Sequence, residues 1–89
     1  MPTSLTAEVL QDDIAISLAR VMTAANKRAR ELGVDGLQSL ITVSQRAFDG
    51  GLVWRVNYGP RQYIGRRGGD LIIEVDQSNA RINQVLWGQ

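Results

Sequence analysis

The sequence predicts an α+β domain in which one long N-terminal helix lies across a four-stranded antiparallel meander sheet. Three observations carry this. A helical three-and-four spacing of apolar residues fills the first third of the chain, the period then falls to two, and turn residues split the remainder into two hairpins. With 89 residues there is room for one core and one domain, spanning 1–89.

The helix is expected over about 7–32. Leu10, Ile14, Leu18, Val21, Ala25, Ala29 and Leu32 recur on one face, with Met22 flanking them. Glu8, Asp12 and Asp13 near the start, and Lys27, Arg28 and Arg30 near the end, complement the helix dipole. Gly33 supplies a C-terminal stop, and Ser4 and Thr6 are both candidate N-caps. At 1.5 Å per residue the apolar face runs to roughly 34 Å, enough to cross a small sheet.

The first hairpin is expected over about 40–58. Asp49-Gly50 suits a type I′ turn, which requires positive φ at both central positions. Placing Phe48 opposite Gly51 sets Ala47 against Leu52, Gln45 against Trp54, Val43 against Val56 and Ile41 against Tyr58, all on the helix-facing side. Thr42, Ser44, Arg46, Val53, Arg55 and Asn57 then form a mostly solvated outer face.

A second hairpin is expected over about 70–87. Asp76 facing Arg81 across a four-residue loop sets Val75 against Ile82 and Leu71 against Leu86 on the core side, with Asn79 in the left-handed conformation. Ile72, Val85 and Trp87 then lie together on the outer face, more apolar surface than a solvated face needs. Between the hairpins, 59–69 is an arginine- and glycine-rich loop.

Composition narrows the chemistry. Ten Lys plus Arg against nine Asp plus Glu give a net charge of +1, too balanced for a global attraction to nucleic acid or anionic lipid. With neither Cys nor His, disulfides, thiolate or imidazole metal sites and the commonest general base are all excluded. No catalytic residue, metal site or cofactor is expected, and the chain reads as a non-enzyme. No apolar run approaches a membrane span, and no leader is visible, so a cytoplasmic protein is expected.

The order of helix, Trp54-x-Val56 strand, Gly68-Gly69 before a strand, and Val75-Asp76-Gln77-Ser78-Asn79-Ala80-Arg81-Ile82 resembles the small cystatin-like group. It is similar in particular to PepSY domains, with Ser78-Asn79 in place of their Thr-Gly turn. It also resembles the NTF2-like immunity proteins of bacterial toxin systems, through the Trp strand, the Gly-Gly approach and the tail Trp87-Gly88-Gln89. The matching motifs cover about 54–89. The long helix and the replaced turn glycine depart from the PepSY pattern. The resemblance implies a binding or inhibitory domain with a protein partner.

Several residues invite a functional reading. Arg61, Tyr63, Arg66 and Arg67 on the loop could contact a phosphate-bearing ligand or nucleic acid, although Gly65-Arg66-Arg67-Gly68-Gly69 fits no nucleotide fingerprint and a solvated loop explains them as well. Glu74 and Asp76 share a strand face with Arg55 opposite, which reads as a cross-strand charge pair before it reads as acid/base machinery. Asp76 to Asn79 lacks the Gly and downstream Glu of a calcium loop and reads as a turn. Trp54 and Tyr58 fill the core before they line a pocket. The leading expectation is a protein-interaction module, homodimeric or bound to another protein, that uses the face around Ile72, Val85 and Trp87 or the free edge of a terminal strand. Nucleic-acid or anionic-ligand binding through 59–69 ranks second.

Overall fold

The computed structural model describes residues 7–60 and 70–88. A short helix α1 (Ala7–Leu10) leads into the long helix α2 (Asp13–Glu31), and a single 3-10 turn (Gly36–Gln38) follows. Four strands come next: β1 (Ser39–Phe48), β2 (Gly51–Pro60), β3 (Leu71–Asp76) and β4 (Ile82–Trp87). They form one antiparallel sheet in the order β1-β2-β3-β4, an open meander with the helix on one face. The α+β class and the element order agree with the sequence reading.

The helix differs from expectation at its start. Instead of one helix from about residue 7, the chain breaks at Gln11-Asp12, and Asp12 caps α2 by accepting the Ala15 N–H at 2.9 Å. An Asp side chain competes well for a free first-turn donor, so it ends one helix and begins the next. The candidate caps Ser4 and Thr6 lie outside the described residues. Because the break precedes the sheet, Leu10 and Ile14 remain 70% and 56% exposed, and the docked seam is Val21, Ala25 and Ala29, all fully buried. The C-terminus behaves as read. Gly33 takes φ +86°, the Val34 N–H reaches the Ala29 carbonyl at 2.8 Å and the Gly33 N–H reaches that of Arg30 at 3.0 Å, the paired bonds of a Schellman stop.

The first hairpin has the predicted register throughout, from Phe48↔Gly51 to Ile41↔Tyr58. Asp49 at φ 52° and Gly50 at φ 82° supply its two positive-φ positions. The second hairpin has the predicted four-residue loop, closed by the Asp76 N–H on the Arg81 carbonyl at 2.8 Å, but the left-handed residue is Ala80 (φ 58°) and not Asn79. The Ala80 N–H returns to the Asp76 carbonyl, which makes 77–80 one helical turn, and such a turn is ended by its last residue. The Asn79 side chain instead accepts the Arg81 N–H.

A β-bulge then changes the faces of β4. Val75↔Ile82 is paired as expected, but Glu74 pairs with Gln84, leaving Asn83 without a partner, and Ile73↔Val85, Ile72↔Leu86 and Leu71↔Trp87 follow. The extra residue moves every later side chain to the face opposite the one a regular ladder would give it. Val85 therefore packs on the core, Trp87 stands on the helix-facing side beside Leu71, and Leu86 joins Ile72 on the outer face.

The core consists of Val21, Ala25 and Ala29 against Val56, Tyr58, Leu71, Ile73 and Val75, with Met22, Leu32, Val34, Val43, Trp54, Ile82 and Val85 packed around it. Alanines on the helix seam let α2 sit close over β3 and, less closely, β2. Among the described residues α2 leaves the β1 side of this face open, so Ile41 on β1, like Leu52 at the turn end of β2, shares the core side in register yet stays exposed.

Candidate functional site

Two regions could carry function. The first is the outer sheet face. Alternation along β1 and β2 places Arg46 and Arg55 there, and the β2–β3 register sets Arg55 directly opposite Glu74. Arg46 reaches over β2 and binds Glu74 with two parallel bonds, Nε to Oε2 at 2.8 Å and a terminal nitrogen to Oε1 at 2.7 Å. Arg55 adds its Nε to Oε2 at 2.8 Å. Glu74 is only 2% exposed, whereas both arginines are about two-fifths exposed at their side chains. The Arg46 guanidinium, aided by Arg55, holds the Glu74 carboxyl below the ordinary carboxylate range against the opposing effect of burial.

A carboxylate held ionised between two guanidiniums has no proton to give at neutral pH and its lone pairs are engaged, so this geometry suits a structural clasp. Val53, expected on a solvated face, is buried in register between Arg46 and Asp76. Arg46 also lies over the Phe48 ring, 5.0 Å from its centre. The predicted pair of Glu74 with Arg55 is present. Arg46 was not anticipated, because it lies two strands from Glu74, beyond the directly opposite partner that cross-strand pairing considers. Asp76 is spent on its own turn, accepting the Ser78 N–H at 2.8 Å and hydroxyl at 2.5 Å, and these bonds lower its pKa.

The second region is apolar. Leu37, Leu40, Ile41, Phe48 and Leu52 are exposed along β1 and the two ends of the first hairpin. Trp87 is 59% exposed at the mouth of an open cleft of about 310 Å³, lined also by Tyr58, Leu71, Val34 and Asp35. The expected patch of Ile72, Val85 and Trp87 is divided by the bulge. Ile72 stays on the outer face and half-buried against Gly88, whose Cβ, if present, would stand 3.0 Å from Ile72 Cδ1, while Val85 and Trp87 lie on the other face. Arg61, Tyr63, Arg66 and Arg67 lie outside the described residues.

Trp54 and Tyr58 are packing residues, as read. The Tyr58 hydroxyl donates to Asn26 Oδ1 at 2.6 Å, tying sheet to helix, and burial pushes its pKa up to about 12. The Trp54 indole N–H is buried with no acceptor among the described residues. Among those residues no cluster of acidic side chains could hold a metal ion, and no helix is long and apolar enough to cross a membrane.

Compared with known proteins, the chain matches no family model, no curated protein and no solved structure. The PepSY and NTF2-like resemblances thus rest on the motifs quoted from the sequence.

Proposed function

We propose that the chain is a non-enzymatic protein-interaction module of the inhibitory or immunity type implied by its resemblance to small cystatin-like domains, acting in the cytoplasm. One observation supports this reading above others: α2 covers the β3 side of its sheet face and leaves Ile41 on β1 exposed beside Leu37, with Leu52 also exposed at the turn end of β2. Large apolar side chains left exposed beside a strand that α2 does not cover suit a protein-binding surface. Affinity-tagged chain captured from its native cells, beside an Ile41→Asp/Leu52→Asp variant, tests the reading. A bound protein that is retained by the parent and lost by the variant, with both unfolding cooperatively, is the expected result. A partner set indifferent to the variant counts against it.

A further inference from the structure

We propose that β1 pairs with β1 of a second copy, antiparallel about a two-fold axis at Val43, to make one continuous eight-stranded sheet. The inference rests on the protein-interaction reading and names its surface and its partner. Phe48 and Gly51 flank the two-residue turn and exchange both their backbone hydrogen bonds, so alternation turns the N–H and C=O groups of Leu40, Thr42, Ser44 and Arg46 toward β2. Those of Ile41, Val43, Gln45 and Ala47 point away from the sheet, and among the described residues they meet no partner.

Sheets normally blunt such an edge with Lys, Pro, a bulge or brevity. β1 has none of these. It is ten residues long and pairs regularly with β2, and its sequence, Ser39-Leu40-Ile41-Thr42-Val43-Ser44-Gln45-Arg46-Ala47-Phe48, holds one charge. That charge is drawn inward, because Arg46 is bound to Glu74. The opposite edge, β4, is six residues long and carries the bulge. The protection is therefore confined to one side of the sheet.

The β1 sequence is complementary to itself. With Val43 facing Val43 of the second copy, Ile41 meets Gln45 and Thr42 meets Ser44, while Arg46 meets Leu40 and never another Arg46. Thr–Ser pairs suit the outer face, and β-branched Val43 with diagonal Ile41 suits the helix side. About six backbone hydrogen bonds form over Ile41–Gln45. A two-fold contact uses each edge once and leaves only the bulged β4 edges outside, so assembly stops at the dimer.

The chain has no cysteine, so Val43→Cys carries a single thiol that would face its copy across the axis. A hydrogen-bonded antiparallel pair sets Cα atoms about 5.5 Å apart, within disulfide range. In Ala47→Cys the two thiols would lie roughly 27 Å apart along the strands. The parent should scatter light as twice its 9.8 kDa. Val43→Cys should oxidise to a covalent dimer and Ala47→Cys should not. Val43→Pro, which removes an outward N–H and no bond to β2 while giving up part of the Val43 packing, should be monomeric and, at lower stability, still unfold cooperatively. A monomeric parent at millimolar concentration, open-ended aggregation, equal cross-linking of the two cysteine variants, or a dimer unchanged by Val43→Pro would each overturn the proposal. A monomeric parent whose captured partner is lost in Ile41→Asp/Leu52→Asp refutes the pairing alone. A Val43-dependent dimer with no other partner supports it and makes the interaction one of the chain with itself.

Discussion

Arg46 on β1 grips Glu74 on β3 through two parallel hydrogen bonds, spanning the intervening strand on the sheet face opposite α2. The clasp joins the first hairpin to the second beyond the β2–β3 ladder, and it replaces the water that a carboxylate at this position would otherwise need. Removing one gripping partner leaves buried lone pairs of Glu74 without donors. Arg46→Ala is expected to lower the midpoint of urea unfolding, modestly because the guanidinium is itself part-solvated. Arg46→Lys should recover only part, since an ammonium cannot make the bidentate contact.

The same clasp sets an acid dependence. The Glu74 pKa is depressed in the folded state, so its contribution is complete above the unfolded carboxylate value and is lost as pH falls through the folded value. Glu74→Gln should be the less stable protein at neutral pH, and its stability should fall less than the parent's between neutrality and acid. Parallel melting curves across that range would refute the clasp.

An alkaline dependence of the opposite kind comes from Tyr58. Its pKa is raised to about 12 from an ordinary 10.0, so the unfolded chain gives up this proton first and the folded chain keeps it longer. Stability from this group is complete below about 10 and is lost as pH rises toward 12. Ultraviolet titration in a Tyr63→Phe background should show tyrosinate forming near the higher value, and Tyr58→Phe, which removes the bond to Asn26, should cost about 1 kcal/mol at neutral pH.

Ala25 is fully buried where α2 meets the sheet. Leu differs little from Ala in helix propensity and is more apolar, yet Ala25→Leu should destabilise by about 1–3 kcal/mol because the helix must lift from β3 to admit it. Denaturant unfolding with an unchanged slope would measure this. Stability equal to or above the parent's would mean the seam is looser than the buried alanines indicate.

How far the sequence could be read depended on what fixes each relationship. Asp49-Gly50 dictates a turn with one geometry, so the whole β1–β2 register was legible from two residues. The Schellman stop at Gly33 was legible for the same reason, since a single positive-φ glycine ended the periodic run. Asp12 was read as a dipole partner because its capping role competes with the continuing apolar pattern, and only the docked position of α2 decides between them. Arg46 stands two strands from Glu74 and reaches it over β2, a contact outside direct cross-strand pairing, which hid it. The bulge was hidden because Ile82 to Trp87 alternates acceptably in either frame.

That bulge makes the last prediction. Asn83 is the residue of β4 with no partner on β3, standing between Val75↔Ile82 and Glu74↔Gln84. Deleting it should leave a regular ladder in which Gln84 follows Ile82 directly, with Val85 still opposite Ile73 and Trp87 still opposite Leu71. The core face would keep all its side chains, and the loss would be limited to local twist and the fit of the loop that ends at Arg81. The deletion variant should therefore unfold cooperatively, within about 8 °C of the parent, a shift worth about 1 kcal/mol in a domain of this size. In an unbulged ladder the parent would set Val85 opposite Ile72 and Leu86 opposite Leu71, and the same deletion would exchange those faces, bringing Val85 onto the core and sending Leu86 outside. Cross-strand NMR contacts that pair Val85 with Ile72 and Leu86 with Leu71 in the parent, and Val85 with Ile73 only after the deletion, would therefore mean that Asn83 belongs to the regular ladder and that β4 presents Val85 and Trp87 on the outer face beside Ile72.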